Sequence, residues 1–199
     1  SAKSRLREEF EQRGVAVINE PALDPASWLA LVEEARLQRG QGSWHLESRY
    51  SPGEISQDNM RGYLGPHARG LLEGSSAVAL LHAVTGHRLQ PSWSASCYTY
   101  YDVPGFYMGE HCDKFDACRI ALLIYLEAQW PAGSKPGPGL GLHIFLGDSS
   151  NSPLVASVTA HSNRVIILNG AEQAHIRPPL AVGESLIMLA GCYHLAGEQ

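Results

Sequence analysis

The sequence predicts a mainly β fold of the α+β class, a jelly roll (double-stranded β-helix) with supporting helices at its N-terminal end. Glycine and proline are frequent, with 20 and 12 residues, and they lie mostly between short apolar runs. From residue 89 onward these runs are rich in β-branched and aromatic residues, whereas the helical patterns come earlier. Many short strands joined by turns are typical of double-sheet architectures and not of helical bundles.

The N-terminal elements are predicted from their ends and from apolar periodicity. Residues 2–13 read as a helix that ends at Gly14, and a short strand follows. For the second helix, Asp24 is a good N-cap and Pro25 suits the first turn. Its apolar residues recur at i, i+3, i+4 and i+7, which predicts one buried face. These are Trp28, Leu31, Val32 and Ala35. A third helix is predicted over 77–84.

Residues 41–66 are polar, Gly-rich and aperiodic, and a loop of that length is often functional, for example as a lid. Eight strands are predicted after it: 89–103, 106–112, 118–127, 141–146, 153–158, 163–169, 174–178 and 184–191. Neither an internal repeat nor a second domain is visible. We therefore predict one domain over 1–199, with helical support and a lid loop in 1–88 and the jelly-roll core in 89–199.

Composition excludes several classes of protein. Apolar residues make up 44% of the chain, enough for a real core. The net charge of −5 and the lack of a basic stripe argue against a nucleic-acid partner. No run approaches the roughly 18 apolar residues that span a membrane, and the charged N-terminus does not resemble a signal peptide. The cysteines form no C-x-x-C pair and are interpreted as reduced thiols of a cytoplasmic protein. They are Cys97, Cys112, Cys118 and Cys192.

One short motif points to metal chemistry. His111 and Asp113 stand two residues apart near the end of a predicted strand, so both side chains face the same side and Cys112 faces away. With one distant third ligand they would form the 2-His-1-carboxylate triad of non-haem Fe(II) oxygenases, which leaves positions open for substrate and O2. Alone, the H-x-D pattern is weak.

The third ligand should be a histidine at the start of a later strand. His175 fits best, because it follows the predicted strand 163–169 and a turn. The alternatives are His143, His161 and His194.

The C-terminal half resembles the Fe(II)/2-oxoglutarate-dependent oxygenases, in particular their prolyl-hydroxylase-like branch. Four segments carry the resemblance, in matching order and spacing: YYDVPGFYMGEHCD, CRIALLIYLEA, GLGLHIF and NRVIILNGAEQAHIRPPLAVGES. Together they cover nearly half of the chain, from about Tyr98 to Tyr193, and are far more specific than the H-x-D motif. The resemblance implies a dioxygenase that uses Fe(II), O2 and 2-oxoglutarate, with hydroxylation as the default outcome.

The same resemblance implies a cosubstrate pocket. Tyr101 and Tyr125 match tyrosines that contact 2-oxoglutarate in the family. The family usually places Arg or Lys about ten residues after the distal His, but Glu184 and Ser185 occupy that position here. Arg177 is the first choice as its replacement, because strand alternation turns it to the same side as His175. The other candidates are Arg119 and Arg164.

The substrate is less well defined by the sequence. Arg119, Trp93 and Tyr98 are candidate substrate contacts, and a small chain of this kind fits a small metabolite or amino-acid-like substrate. The loop 41–66 adds aromatic and basic side chains that suit a polar ligand: Trp44, His45, Arg49, Tyr50, Arg61 and Tyr63. Two alternatives remain open, an iron enzyme that does not use 2-oxoglutarate and a non-catalytic jelly-roll binding module. The sequence gives no indication of oligomeric state.

Overall fold

A computed structural model describes residues 2–19, 21–49 and 55–197, and within them it contains four α-helices and twelve strands. The helices are α1 Ala2–Arg13, α2 Pro25–Gln41, α3 Pro66–Glu73 and α4 Ser75–Thr85. The strands are β1 Val15–Ile18, β2 Ser43–Ser48, β3 Gln57–Gly62, β4 Leu89–Pro91, β5 Cys97–Tyr101, β6 Tyr107–His111, β7 Ile120–Gln129, β8 Gly141–Phe145, β9 Leu154–Thr159, β10 Arg164–Leu168, β11 His175–Arg177 and β12 Ser185–Leu195.

The strands form one continuous antiparallel sheet that folds back on itself. Its order is β1-β10-β7-β12-β5-β3-β6-β11-β8-β9, with β2 paired to β3 and β4 paired to β12. Strands distant in sequence are therefore neighbours, as in a jelly roll. None of the helices in the described ranges combines the length and apolar composition needed to cross a bilayer.

Two hydrophobic cores lie on opposite faces of the central strands. Along β7, Leu122, Ile124 and Leu126 pack into the core beneath the helices, while Leu123 and Tyr125 pack into the core inside the folded sheet. Successive side chains of a strand point to opposite faces, so a strand covered on both sides reads as a continuous apolar run. This explains the unbroken apolar segment at this point of the sequence.

The helical layer is fixed by caps and by buried hydrogen bonds. The Asp24 carboxylate accepts from the backbone N–H groups of Ala26 and Ser27 at 3.1 and 3.0 Å, which confirms the predicted N-cap of α2. The indole N–H of Trp28 donates to the Leu126 carbonyl at 3.0 Å and so ties α2 to β7. α1 ends at Gly14, whose φ of 69° suits glycine, as the sequence predicts.

The prediction of an aperiodic lid loop over 41–66 is wrong for most of its length. β2 and β3 pair as an antiparallel hairpin, and β3 continues into the main sheet between β5 and β6. The signal was missed because β3 carries polar side chains toward the interior of the fold, so hydrophobic alternation does not mark it. Of the loop residues named above, Tyr50 lies outside the described residues.

The prediction that all four cysteines are reduced is also wrong. Cys118 and Cys192 form a disulfide that joins positions 74 residues apart, while Cys97 and Cys112 are free. Cys118 comes just before β7, and Cys192 lies on the neighbouring strand β12 opposite Ala121. The pairing follows from strand register, for which cysteine spacing in the sequence gives no signal.

Candidate active site

The predicted ligand residues meet inside the folded sheet. His111 ends β6, His175 begins β11, and the two residues are direct partners in the antiparallel ladder. Asp113 follows in the next loop, with its Oδ1 lying 3.6 Å from His111 Nε2 and 3.8 Å from His175 Nε2. One ligand atom from each residue lies within 4.8 Å of the others. The structure therefore brings together the three residues favoured by the sequence.

The backbone fixes the orientation of both imidazoles. His111 Nδ1–H donates to the Gly109 carbonyl at 2.8 Å, and His175 Nδ1–H donates to the Gln173 carbonyl at 2.9 Å. In this tautomer each Nε2 carries a lone pair on the side of the ring that faces the Asp113 carboxylate, where it can bind a metal ion. Such carbonyl contacts are typical of metal-bound histidines, because they set both the tautomer and the ring orientation.

Gly170 shapes the position of the carboxylate. The Asp113 N–H donates to the Gly170 carbonyl at 2.8 Å, and the Asp113 carboxylate packs directly against the Gly170 Cα. A Cβ at position 170 would collide with that carboxylate. Sequence reasoning missed this residue, and the only signal for it is the Asn-Gly turn that follows β10.

Burial and neighbouring charge shift the pKa values of His175 and Asp113 toward the forms that bind a metal ion. Burial, assisted by the nearby His111 ring, lowers the pKa of His175 to about 4. Burial alone would raise the pKa of Asp113, but the neighbouring His111 and His175 rings and the Arg61 guanidinium outweigh it and hold this pKa below its usual value. Neutral imidazoles and an ionised carboxylate are the forms that ligate a divalent cation.

A cavity of about 220 Å³ opens from the cluster and runs between the two layers of the sheet. Arg177 lies in its wall and is only 2% exposed. Its Nη2 donates to the Tyr125 hydroxyl at 3.0 Å, its Nη1 donates to the Gly139 carbonyl at 3.3 Å, and its guanidinium lies 5.2 Å from the centre of the Tyr101 ring. The three residues expected to surround 2-oxoglutarate thus form one contact group.

Glu184, at the position where the sequence resemblance led us to expect a basic residue, does not join this group. Its carboxylate accepts from the backbone N–H groups of Gly137 and Ala181, which satisfies a side chain that is only 6% exposed. The glutamate therefore fastens two loops and needs no cation. Arg177 supplies the only guanidinium that the described residues place beside Tyr125 and Tyr101 together.

The prediction that Tyr98 lines the pocket is wrong. Thr99 and Tyr101 of β5 face the cavity, so strand alternation turns Tyr98 to the opposite face. There its hydroxyl donates to Glu34 Oε1 on α2 at 2.7 Å, and the ring belongs to the core beneath the helices. The tyrosine joins the two layers and has no access to the cavity.

Trp93 and Arg119 do not line the cavity, so the structure gives no support to their predicted role as substrate contacts, which stays a prediction. Trp93 lies in the turn after β4, 36% exposed, with the Arg69 guanidinium 5.2 Å above its ring. Arg119 Nη2 contacts Glu172 Oε1 at 3.4 Å, and its guanidinium covers the Phe115 ring. Each basic or aromatic group is therefore satisfied by a surface partner.

The alternative ligands and cations are used elsewhere. Among the histidines, His143 contacts Ser157, His161 packs against Trp130, and His194 contacts Gln90. Arg164, the remaining arginine candidate, is the first residue of β10 and donates to the carbonyl of Thr159 at the end of β9. His175, which the sequence favoured because it starts a strand after a turn, is thus the histidine that the fold brings to His111 and Asp113.

Sequence reasoning did not identify two cationic residues of the cavity wall as a pair. Arg61 on β3 was noted only as one of several loop residues, and Lys114, directly after Asp113, was not noted. Arg61 reaches the cavity because its ladder partner is Thr99, and cross-strand partners point to the same face. That register was invisible without the β3 strand.

Solved structures share this fold over almost the whole chain. A Pseudomonas putida prolyl-4-hydroxylase matches with a TM-score of 0.70 at 16% identity, covering 98% of this chain and 100% of that chain. The non-heme alpha ketoglutarate dependent epimerase SnoN from nogalamycin biosynthesis matches with a TM-score of 0.74 at 16% identity, covering 98% and 81%. HygX from Streptomyces hygroscopicus, solved with nickel, 2-oxoglutarate and hygromycin B bound, matches with a TM-score of 0.62 at 16% identity, covering 96% and 88%.

These matches define the class of fold. The chain has the jelly roll of the 2-oxoglutarate- and iron-dependent oxygenases, so the predicted fold class is confirmed, and the resemblance drawn from the sequence is confirmed at the level of the fold. No protein-family model matches the sequence, and no curated protein matches it either. Because one fold hosts many activities, function has to be argued from the site.

Proposed function

We propose that this chain is a non-haem Fe(II)/2-oxoglutarate-dependent dioxygenase, with His111, Asp113 and His175 as its metal ligands. The observation that carries the proposal is the convergence of two imidazoles and one carboxylate within 4.8 Å at the base of a cavity. Two His nitrogens and one carboxylate on one side of a site are the donor set of non-haem Fe(II) oxygenases. The ring tautomers fit the same role, because both Nε2 atoms are free to coordinate.

The cosubstrate role rests on Arg177. A buried guanidinium without a carboxylate partner among the described residues suits a ligand carboxylate, since an isolated buried charge is costly. Arg177 would hold the distal carboxylate of 2-oxoglutarate, and Tyr125 and Tyr101 would orient the guanidinium and the ligand. The HygX structure, which contains 2-oxoglutarate on the same fold, supports this choice of cosubstrate.

Fe(II), 2-oxoglutarate and O2, when bound, supply oxidative decarboxylation to succinate and CO2 together with the oxygen atom that enters the substrate. The chain supplies position and environment. The Gly109 and Gln173 carbonyls hold the imidazole protons away from the metal side, and Asp113 provides the anionic ligand. Apolar side chains, including Leu123, form part of the cavity wall and lower its polarity.

The substrate is proposed to be a small molecule or an amino-acid-like compound, and the default reaction is hydroxylation. Two of the similar structures are named for small-molecule chemistry, one by nogalamycin biosynthesis and one by its bound hygromycin B. Arg177 offers the cation that position 184 lacks, and this supports 2-oxoglutarate as cosubstrate over the alternative of an iron enzyme that does not use it. We further propose that 1–199 acts as a single catalytic domain, in which β1, β2 and β3 of the N-terminal part join the sheet.

A cytoplasmic location stays a prediction, and the Cys118–Cys192 disulfide argues against it, because cytosolic thiols are kept reduced. A thiol count after rapid alkylation of lysed cells tests it. If two of the four cysteines do not react with the alkylating reagent, the protein resides in an oxidising compartment.

The decisive experiment measures iron content and 2-oxoglutarate-dependent succinate formation. Protein purified without oxygen should bind about one Fe(II) per chain and form succinate with a panel of small molecules. Asp113→Ala should lose both properties, while Asp116→Ala, an exposed neighbour, should keep them. Full iron occupancy and turnover in Asp113→Ala would overturn the proposed ligand set. Iron binding without succinate from any compound would favour an iron enzyme with another electron source, and no iron binding would favour the non-catalytic module.

A further inference from the structure

The cavity carries two cations that the proposed metal and cosubstrate roles do not use. Its described ionisable wall residues comprise the triad, Arg177, Arg61, Lys114 and Tyr101, since the two cysteines of the wall are joined in a disulfide. Asp113 is the only carboxylate among them. Arg61 lies in the wall on β3, and Lys114 is exposed on the loop that also holds Asp113.

Arg61 is held by neutral acceptors only. Its Nε donates to Asn59 Oδ1 at 3.0 Å and its Nη2 donates to Gln57 Oε1 at 3.1 Å. Its Nη1 lies 3.1 Å from Cys97 Sγ. Within the described residues no carboxylate lies within salt-bridge distance of this half-buried guanidinium. A guanidinium has five N–H donors, and these contacts use three of them.

The fixed position of Arg61 distinguishes it from an ordinary surface arginine. Asn59 and Gln57 stand on the same strand at two-residue spacing and face the same side, so they orient the guanidinium in the cavity wall. Holding a long cationic side chain in one place costs rotamer entropy and hydration. Such a pre-oriented cation suits an anionic ligand, which it can meet without further ordering.

The charge balance of the loaded cavity points the same way. Fe(II) and doubly ionised 2-oxoglutarate carry opposite charges that cancel. Asp113, which interacts electrostatically with Arg61, offsets one of the three positive charges of Arg61, Lys114 and Arg177. The loaded cavity therefore keeps a net positive charge and favours a substrate with negative charge.

We propose that Arg61, assisted by Lys114 at the cavity mouth, binds an anionic group of the substrate, a carboxylate or a phosphate. This inference rests on the proposed function and narrows its substrate class to anionic small molecules. Arg61 is thereby a specificity-determining residue. Its role does not extend to the metal ligands or to the distal carboxylate of 2-oxoglutarate, which Arg177 binds.

The test uses the full chain loaded with Zn(II) and 2-oxoglutarate, which prevents turnover while retaining a divalent ion that takes imidazole and carboxylate ligands. The Nε–H NMR signals of the arginines are followed during titration with inorganic phosphate and, separately, with acetate. The Arg61 signal should shift saturably with at least one of the two anions. The signal of Arg36, an exposed arginine paired with Glu127, should not shift saturably. The anion that binds more tightly identifies phosphate or carboxylate as the substrate group.

Variants separate binding from structural effects. Arg61→Gln should weaken anion binding about tenfold or more, in line with the loss of a charge-assisted hydrogen bond. Lys114→Ala, a change at an exposed position that tests the proposal even if Arg61→Gln does not fold, should weaken it about threefold. Arg36→Gln is the matched control. All three should bind Zn(II) and 2-oxoglutarate like the parent chain.

The outcomes separate this inference from the function on which it rests. Failure of the parent chain to bind Zn(II) and 2-oxoglutarate contradicts the proposed function. Normal binding of both, with an Arg61 signal that neither anion shifts, overturns only the anionic-substrate proposal.

Discussion

Arg177 on β11 donates a hydrogen bond of 3.0 Å to the hydroxyl of Tyr125 on β7, across the interior of the folded sheet. The two residues are 52 positions apart in the chain and are both buried. This contact places a cation two residues beyond His175, on the same face of the strand. It provides a cation in place of the basic residue that the sequence resemblance implied about ten residues after His175, where this chain has Glu184.

Replacing Arg177 with methionine should separate cosubstrate binding from stability. We expect the Kd for 2-oxoglutarate to rise about 100-fold, because a partner of a desolvated charge pair is lost. Calorimetry on the metal-loaded protein measures its affinity for 2-oxoglutarate. In the ligand-free protein the same change should raise the free energy of unfolding by about 1–2 kcal/mol, because an unpaired buried charge is removed. Unchanged 2-oxoglutarate affinity in Arg177→Met would assign the distal carboxylate to another cation.

Gly170 should act as a positioning residue for Asp113. In Gly170→Ala the new Cβ displaces the carboxylate, and we expect metal affinity to fall about 10- to 100-fold, the range for residues that orient a ligand. A Zn(II) competition titration measures the affinity, and circular dichroism checks the fold. Gly40→Ala is the matched control, since a Cβ there meets nothing within 4 Å. Equal zinc affinity in both variants would show that the carboxylate adapts.

Glu184 should contribute to stability without affecting the cosubstrate. Glu184→Ala leaves the N–H groups of Gly137 and Ala181 without their acceptor, so the free energy of unfolding should fall by about 2 kcal/mol. Glu184→Gln keeps one acceptor oxygen and should lose less. Chemical denaturation gives the stability, and the KM for 2-oxoglutarate should stay within about twofold of the parent value. A large rise in that KM would return Glu184 to the cosubstrate pocket.

The disulfide should make the stability of the protein sensitive to reductant. Closing a loop of 74 residues between Cys118 and Cys192 contributes about 4 kcal/mol in the chain-entropy description. Denaturation with and without a phosphine reductant measures the difference, and Cys118→Ser/Cys192→Ser should match the reduced protein. Thiol titration of the unfolded, non-reduced chain should find only Cys97 and Cys112. Four reactive thiols before any reductant is added would contradict the disulfide.

Much of the candidate site followed from local sequence patterns. His111 and Asp113 share a face because side chains alternate along a strand, and the same rule placed Arg177 beside His175. These relationships hold within one strand and need no knowledge of its neighbours. The prediction for Tyr98 failed for a related reason. Side chains alternate along β5 as expected, but the sequence does not reveal which face of this strand is turned to the cavity and which to α2.

The sequence by itself determined the fold class, the pairing of His111 with Asp113 and the position of Arg177 relative to His175, because each depends on apolar patterning or on spacing within one strand. That His175 lies opposite His111 was an expectation until the pairing of β6 with β11 showed it. Only the tertiary structure decided that β3 joins the sheet and brings Arg61 opposite Thr99, that Cys118 meets Cys192, and that Gly170 supports Asp113. All three depend on register between segments distant in the chain. Register is set by hydrogen bonding and burial over the whole sheet, and no short stretch of sequence contains it.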